Sequence, residues 1–353
     1  MRVLLTSDTV GGVWTYALEL ARALRRHDDD VLVAAAGPPL APARREEAHA
    51  AGVALETREA ALEWMDEPWE DVSRTGEWLF ELAQSFDPDV VHLNEFAHAT
   101  LPWDAPTLLA AHSCVLSWHA ALGREPRGWD RYAEVVASAL GRADLVVAPT
   151  RWMLDEFGRL YGPMRERIVI PNGRDATAFR PGRKEPFVMT AGRLWDEGKN
   201  VAALDRAAER LEWPVAASGD PGTWRPRSLH LLGPVPQARL AAWLGRASVF
   251  ALPARYEPFG LAPLEAAYAG CALVLGDIPT LREVWEDAAT FVDPDDDGAL
   301  AAALRRLLRD EELRRERAEA ARGRARIYTP ERMAGAYGAA YERLCTRLPV
   351  GAR

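Results

Sequence analysis

Short apolar runs alternate with amphipathic stretches along the whole chain, and this rhythm predicts β-strands and α-helices in regular succession around parallel sheets. In the first half the runs predict strands at 3–6, 31–35, 90–93, 107–111, 145–148 and 168–170. In the second half they predict strands at 187–191, 215–218, 229–232, 249–252, 272–275 and 290–292. The chain therefore reads as two similar α/β halves. Pro171-Asn172-Gly173 breaks it between them, and 179–186 is rich in proline and charge, which places the linker there. Thr329-Pro330 gives a cap residue followed by proline at a first helical position, so a last helix starts there. The expected division is a domain over 1–173, a second over 174–328, and a segment 329–353 that packs back on the first.

At 353 residues, with 48% hydrophobic content, the chain is long enough for two cores. A net charge of −9 argues against nucleic acid as a partner. No apolar run is long enough to span a bilayer, and Met1-Arg2-Val3-Leu4-Leu5 opens directly into a strand pattern rather than a signal peptide. The expectation is a cytoplasmic protein without a transmembrane segment, with local basic patches that leave room for peripheral membrane contact. Cys114, Cys271 and Cys345 are odd in number and widely separated, as expected of reduced thiols packed as small hydrophobes.

The most informative stretch runs from Glu257 to Glu265, E-P-F-G-L-A-P-L-E. Leu261, Leu264 and Ala267 follow helical spacing, Pro263 suits a first turn, and Gly270 is a stop signal. Glu257 then lies in a loop and Glu265 on the helix. A helix start offers backbone N–H groups and partial positive charge to a phosphate or diphosphate. Carboxylates beside such an anion are wasteful unless they contact neutral hydroxyls or a transient cation, and a nucleotide sugar offers both. Taken alone, the two acids favour merely capping and solvating a surface helix.

Three further segments carry candidate chemistry. Ser7 to Trp14 follows the first strand and holds Gly11 and Gly12, where a backbone can pass close to a ligand; by itself it is a turn, since G-x-G-x-x-G is absent. His112 follows the run 107–111, at a strand's C-terminal end, where it can donate to a sugar hydroxyl or phosphate oxygen. Arg193 and Lys199 lie just after the first strand of the second half, a guanidinium fork and an ammonium suited to a departing diphosphate. Asn94 and Glu95 follow the strand ending at Leu93, and His92 within it reads as structural. No Asp-x-Asp follows a strand in a position to hold a metal; Asp28-Asp29-Asp30 precedes one, and 293–297 reads as a solvated acidic loop. The expectation is catalysis without metal or cofactor.

The stretch from Glu257 to Glu265, with Phe259-Gly260-Leu261 in register, closely resembles the E-x7-E signature of the family 4 retaining glycosyltransferases. The resemblance covers nearly the whole chain, strongest over 187–294 and weakest over 53–88. It implies the GT-B architecture, two doubly wound Rossmann-like domains facing across a cleft. It also implies a hexosyltransferase-type enzyme that moves a sugar from a nucleoside-diphosphate sugar to a sugar, lipid-linked or small-molecule acceptor, as in polysaccharide biosynthesis. In similar enzymes the loop at Gly11 and Gly12 faces the donor diphosphate, and a histidine stands where His112 does. Glu265 takes the ribose hydroxyls, and Glu257 faces the transferred sugar. Phe259, Gly260 and Leu261 complete the donor site, Arg193 and Lys199 hold the phosphates, and Lys199 stands one residue later than the commonest family spacing. Trp14, Asn94 and Glu95 are acceptor-side candidates. The alternatives are a nucleotide-sugar epimerase of the same architecture and a degenerate sugar-nucleotide-binding protein.

Overall fold

The computed structural model describes residues 1–27 and 29–347; Asp28 of the acidic run and positions 348–353 of the last segment lie outside the described residues. Two compact units emerge, one from Met1–Ala120, Glu125–Gly173 and the last helix, the other from Ala121–Arg124 and Arg174–Thr329.

The first unit is built on β1 (Arg2–Asp8), β2 (Asp30–Gly37), β3 (Ala54–Glu59), β4 (Val90–Leu93), β5 (Thr107–Ala110), β6 (Leu145–Ala148) and β7 (Arg167–Val169). They form one parallel sheet in the order β3-β2-β1-β4-β5-β6-β7. The second holds β8 (Glu185–Ala191), β9 (Val215–Ser218), β10 (Leu229–Gly233), β11 (Ala247–Leu252), β12 (Ala272–Gly276) and β13 (Thr290–Val292). Their order is β10-β9-β8-β11-β12-β13, again parallel. Every run read as a strand is one. The exception runs the other way: β3, Ala-Leu-Glu-Thr-Arg-Glu, has no apolar run and was not expected. As an edge strand it pairs only with β2 and carries no buried residue, so its sequence needs no continuous apolarity.

Central strands such as β4, β6 and β11 are buried along their whole length, as strands covered on both faces must be. In the first unit the helix Gly11–Arg25 turns Trp14, Tyr16, Leu20 and Leu24 inward, against Met333, Tyr337, Tyr341 and Leu344 of the helix Pro330–Arg347. Each such aliphatic side chain contributes about 2 kcal/mol by leaving water. His92 is enclosed there, exchanging hydrogen bonds with Tyr16 Oη at 3.2 Å and Tyr341 Oη at 2.6 Å. Burial pushes its pKa well below the ordinary histidine value, so the network is neutral. Cys114, Cys271 and Cys345 are free thiols. No helix of the described residues is long and apolar enough to cross a membrane.

Both sheets reverse their winding once, between β1 and β4 and between β8 and β11. In open α/β sheets, ligands gather at such switch points, beyond the carboxyl ends of the strands.

Candidate active site

The switch point of the second unit holds the two loops that the sequence singles out. The loop after β8 carries Arg193 and Lys199, and the loop after β11 carries Glu257. Backbone bonds fasten one to the other: Gly198 O accepts from Arg255 N at 2.8 Å and from Tyr256 N at 3.0 Å. Asn200 adopts a left-handed conformation with φ of 53° and donates through Nδ2 to Pro253 O at 2.9 Å and Pro294 O at 2.7 Å. Arg255 Nη1 donates to the Oδ1 of the same amide at 2.9 Å. Held in this way, Lys199 Nζ donates to Glu257 Oε2 at 2.7 Å, with both side chains largely buried. Thr280 Oγ1 fixes the Glu257 carbonyl at 2.6 Å. Arg193 stays half exposed; its Nη2 reaches buried Asp196 at 3.1 Å, and its guanidinium lies 5.7 Å from the ring of Trp195, itself 46% exposed.

Glu257 is in the loop, and Glu265 lies in the helix Leu261–Tyr268. Gly260 is the N-cap at φ of 95°, a backbone conformation that L side chains rarely adopt, and it brings no side chain to cap the first turn. The far end closes by a Schellman pattern: Cys271 N donates to Ala266 O and Gly270 N to Ala267 O, both at 3.0 Å. Phe259 is buried, packing edge-on against Tyr328 at 5.3 Å, so any ligand contact it makes is through its backbone. Leu261 is partly buried at the helix start.

Glu265 is buried and accepts from Arg174 Nε at 2.8 Å. Arg174 was missed in the sequence. It is the residue directly after Pro171-Asn172-Gly173, and an arginine placed at a chain break is the only local signal it gives. Its guanidinium lies 5.2 Å from the ring of Phe179 and its backbone N–H binds Tyr328 O, so it is rigidly built in.

The remaining candidates gather at the switch point of the first unit. Gly11 and Gly12 open the helix Gly11–Arg25, whose N-cap Val10 provides no side-chain bond; Asp8 Oδ1 accepts from Val10 N at 3.0 Å. At the carboxyl ends of β1, β4 and β5 stand Thr6, Asn94 with Glu95, and His112. His112 Nε2 meets Asn94 Oδ1 at 2.7 Å, and the Tyr16 ring lies edge-on to the imidazole at 4.4 Å. Desolvation lowers the His112 pKa to about 4, so the ring is neutral at physiological pH. Glu95 is buried, bound by Thr6 Oγ1, and burial raises its pKa to about 8. Glu63, an acid the sequence reading passed over, accepts from Phe96 N and Ala97 N beside it, and burial raises its pKa to about 7.

Trp14 is placed otherwise than expected. Its ring is 2% exposed in the core, and Nε1 reaches Glu47 at 3.3 Å. Neither face is open to stack on a sugar.

Glycosyltransferase Family 4 matches residues 10–178, and Glycosyl transferases group 1 matches residues 226–324. The chain is 33% identical to a glycogen synthase of Mycobacterium tuberculosis over 68% of its length, and that match spans 65% of the synthase. It is 29% identical to a D-inositol 3-phosphate glycosyltransferase of Xylanimonas cellulosilytica, covering 96% of this chain and 93% of that protein. Among solved structures, the sucrose-phosphate synthase of Thermosynechococcus elongatus superposes with a TM-score of 0.80 at 19% identity, over 99% of this chain and 100% of the other. Alr3699/HepE of Anabaena, in complex with UDP-glucose, gives 0.79 at 15% identity over 97% of this chain and 100% of that one. The two parallel sheets, the signature at Glu257 to Glu265 and these likenesses agree: the chain belongs to the family 4 glycosyltransferases of GT-B fold.

Proposed function

We propose that this chain is a retaining glycosyltransferase that moves a sugar from a nucleoside-diphosphate sugar to a carbohydrate or lipid-linked acceptor without a metal ion. The observation that carries the reading is the Lys199–Glu257 pair, 2.7 Å apart at the second unit's switch point, with Glu257 three residues before the N-cap glycine of a helix. That arrangement provides what the reaction needs. Lys199, Arg193 and the N–H groups at the start of Leu261–Tyr268 meet the two phosphates and stabilise the charge that grows as the glycosidic bond breaks. Glu257, freed from Lys199 when the diphosphate takes the ammonium, faces the anomeric carbon and steadies its oxocarbenium character. Glu265, its carboxylate oriented by Arg174, takes the ribose hydroxyls. With attack and departure on one face of the ring, the leaving phosphate oxygen receives the acceptor proton. The UDP-glucose complex of the Anabaena protein supports a nucleotide-sugar donor.

The test has two stages. Thermal stabilisation across a panel of nucleotides and nucleotide sugars identifies the donor, because a ligand that binds only the folded state raises its stability. Proton NMR of the fresh product from an α-linked, gluco-configured donor should then show an α-linkage. A β-linked product would overturn the retaining mechanism and with it the role given to Glu257.

A further inference from the structure

The His112 imidazole is neutral and could carry its proton on either ring nitrogen, and its neighbours decide which. Asn94 Nδ2 donates to the Thr6 carbonyl at 2.6 Å. A backbone carbonyl only accepts, so the Asn94 side chain has one orientation, with Oδ1 toward the histidine. Asn94 N also donates to Thr6 Oγ1 at 2.9 Å, which ties the residue to β1 twice. Oδ1 too only accepts, so the His112 nitrogen 2.7 Å away must be a donor. The Tyr16 ring, 4.4 Å from the imidazole and inclined by 68°, leaves little room for the ring to flip.

We infer that Asn94 is a positioning residue that locks His112 in the Nε2–H tautomer and so presents Nδ1 as a hydrogen-bond acceptor. Nδ1 has no hydrogen bond within the described residues. A lone pair there accepts a hydrogen bond from a neutral hydroxyl and repels a phosphate oxygen, which at neutral pH has no proton to give. The group that His112 recognises is therefore a hydroxyl of the sugar or acceptor, not the diphosphate; this identity of the ligand rests on the transferase reading, whereas the lock does not.

Long-range proton–nitrogen NMR of the nitrogen-15-labelled protein reads the tautomer directly, with the His112 signals assigned from their loss in His112→Gln. The expected spectrum has a pyrrole-type Nε2 and a pyridine-type Nδ1. Asn94→Ala should move both signals toward the averaged values of a tautomer mixture and lower kcat about tenfold, the scale of one lost hydrogen bond. A pyridine-type Nε2 in the native protein, or an unchanged tautomer in Asn94→Ala, would overturn the lock. An intact lock in a protein that transfers no sugar counts against the transferase reading alone.

Discussion

Lys199 and Glu257 neutralise each other across 2.7 Å, although they come from separate loops 58 residues apart in the chain. Each charge is largely withdrawn from water, so each is the other's counter-ion. Under the proposed function an incoming diphosphate would compete for the ammonium, and that competition would couple donor binding to the release of the carboxylate.

Glu257→Gln tests the coupling. The amide keeps an oxygen for Lys199 and removes the charge, so the fold should survive. Turnover should fall about a hundredfold or more, the effect of losing a transition-state electrostatic partner. Nucleoside diphosphate should bind more tightly, since Lys199 no longer has a carboxylate to leave. Near-native turnover, read in steady-state kinetics, would defeat the assignment.

Arg193 is expected to act on phosphate and not on the nucleoside. In Arg193→Ala the affinity for the nucleoside diphosphate should fall roughly tenfold to a hundredfold, as for one charge-assisted hydrogen bond. Affinity for the nucleoside should barely change, and calorimetric titration separates the two. Transfer by the native protein should persist in excess EDTA; activity recovered only on adding magnesium or manganese would refute the proposed division of labour.

Arg174 and Glu265 form a buried pair, with side chains 6% and 10% exposed. Removing one partner strands the other charge, which costs about 3–5 kcal/mol. Arg174→Ala should therefore lower the stability of the second unit by that amount in denaturant unfolding, whereas Arg282→Ala, which breaks an exposed pair with Asp277, should cost under about 1 kcal/mol. Equal effects would mean that Arg174 is not the anchor described.

The two buried acids of the first unit predict a pH dependence. Burial raises Glu95 from 4.5 to about 8 and Glu63 to about 7, so between those limits the folded chain holds protons that the unfolded chain has lost. Stability is then fully expressed below about pH 4.5 with respect to these groups and falls as pH rises toward 8. Glu95→Gln should flatten that decline when unfolding midpoints are compared across the window; an unchanged slope would show that Glu95 is ionised in the fold.

The sheets were legible because central parallel strands are apolar on both faces, and such runs stand out in a sequence. β3 was not, since an edge strand can be polar. Glu257, Glu265, Arg193 and Lys199 could be named as candidates because each falls in a local motif. Arg174 was hidden because its partner lies 91 residues away, and no spacing rule reaches so far. Trp14 shows the opposite error: with Leu18 and Ala21 it completes an inward helical stripe, and that periodicity outweighed its nearness to a glycine turn. Asn94 and His112 could be named separately, but only adjacent strands β4 and β5 make one the orienting partner of the other.

The helix Pro330–Arg347 supplies Met333, Ala334, Tyr337, Ala340, Tyr341 and Leu344 to a buried core whose other members run from Val3 to Ile170. On the ribosome, the first unit therefore waits for the whole of the second to be made before its own interior can close. Until then the Tyr16–His92 pair lacks the Tyr341 hydroxyl, and the apolar groove beside Leu20 and Leu24 stands open to water. A chain released after Thr329 would be frozen in that unfinished state, with every motif residue present and the histidine that anchors its core left facing solvent.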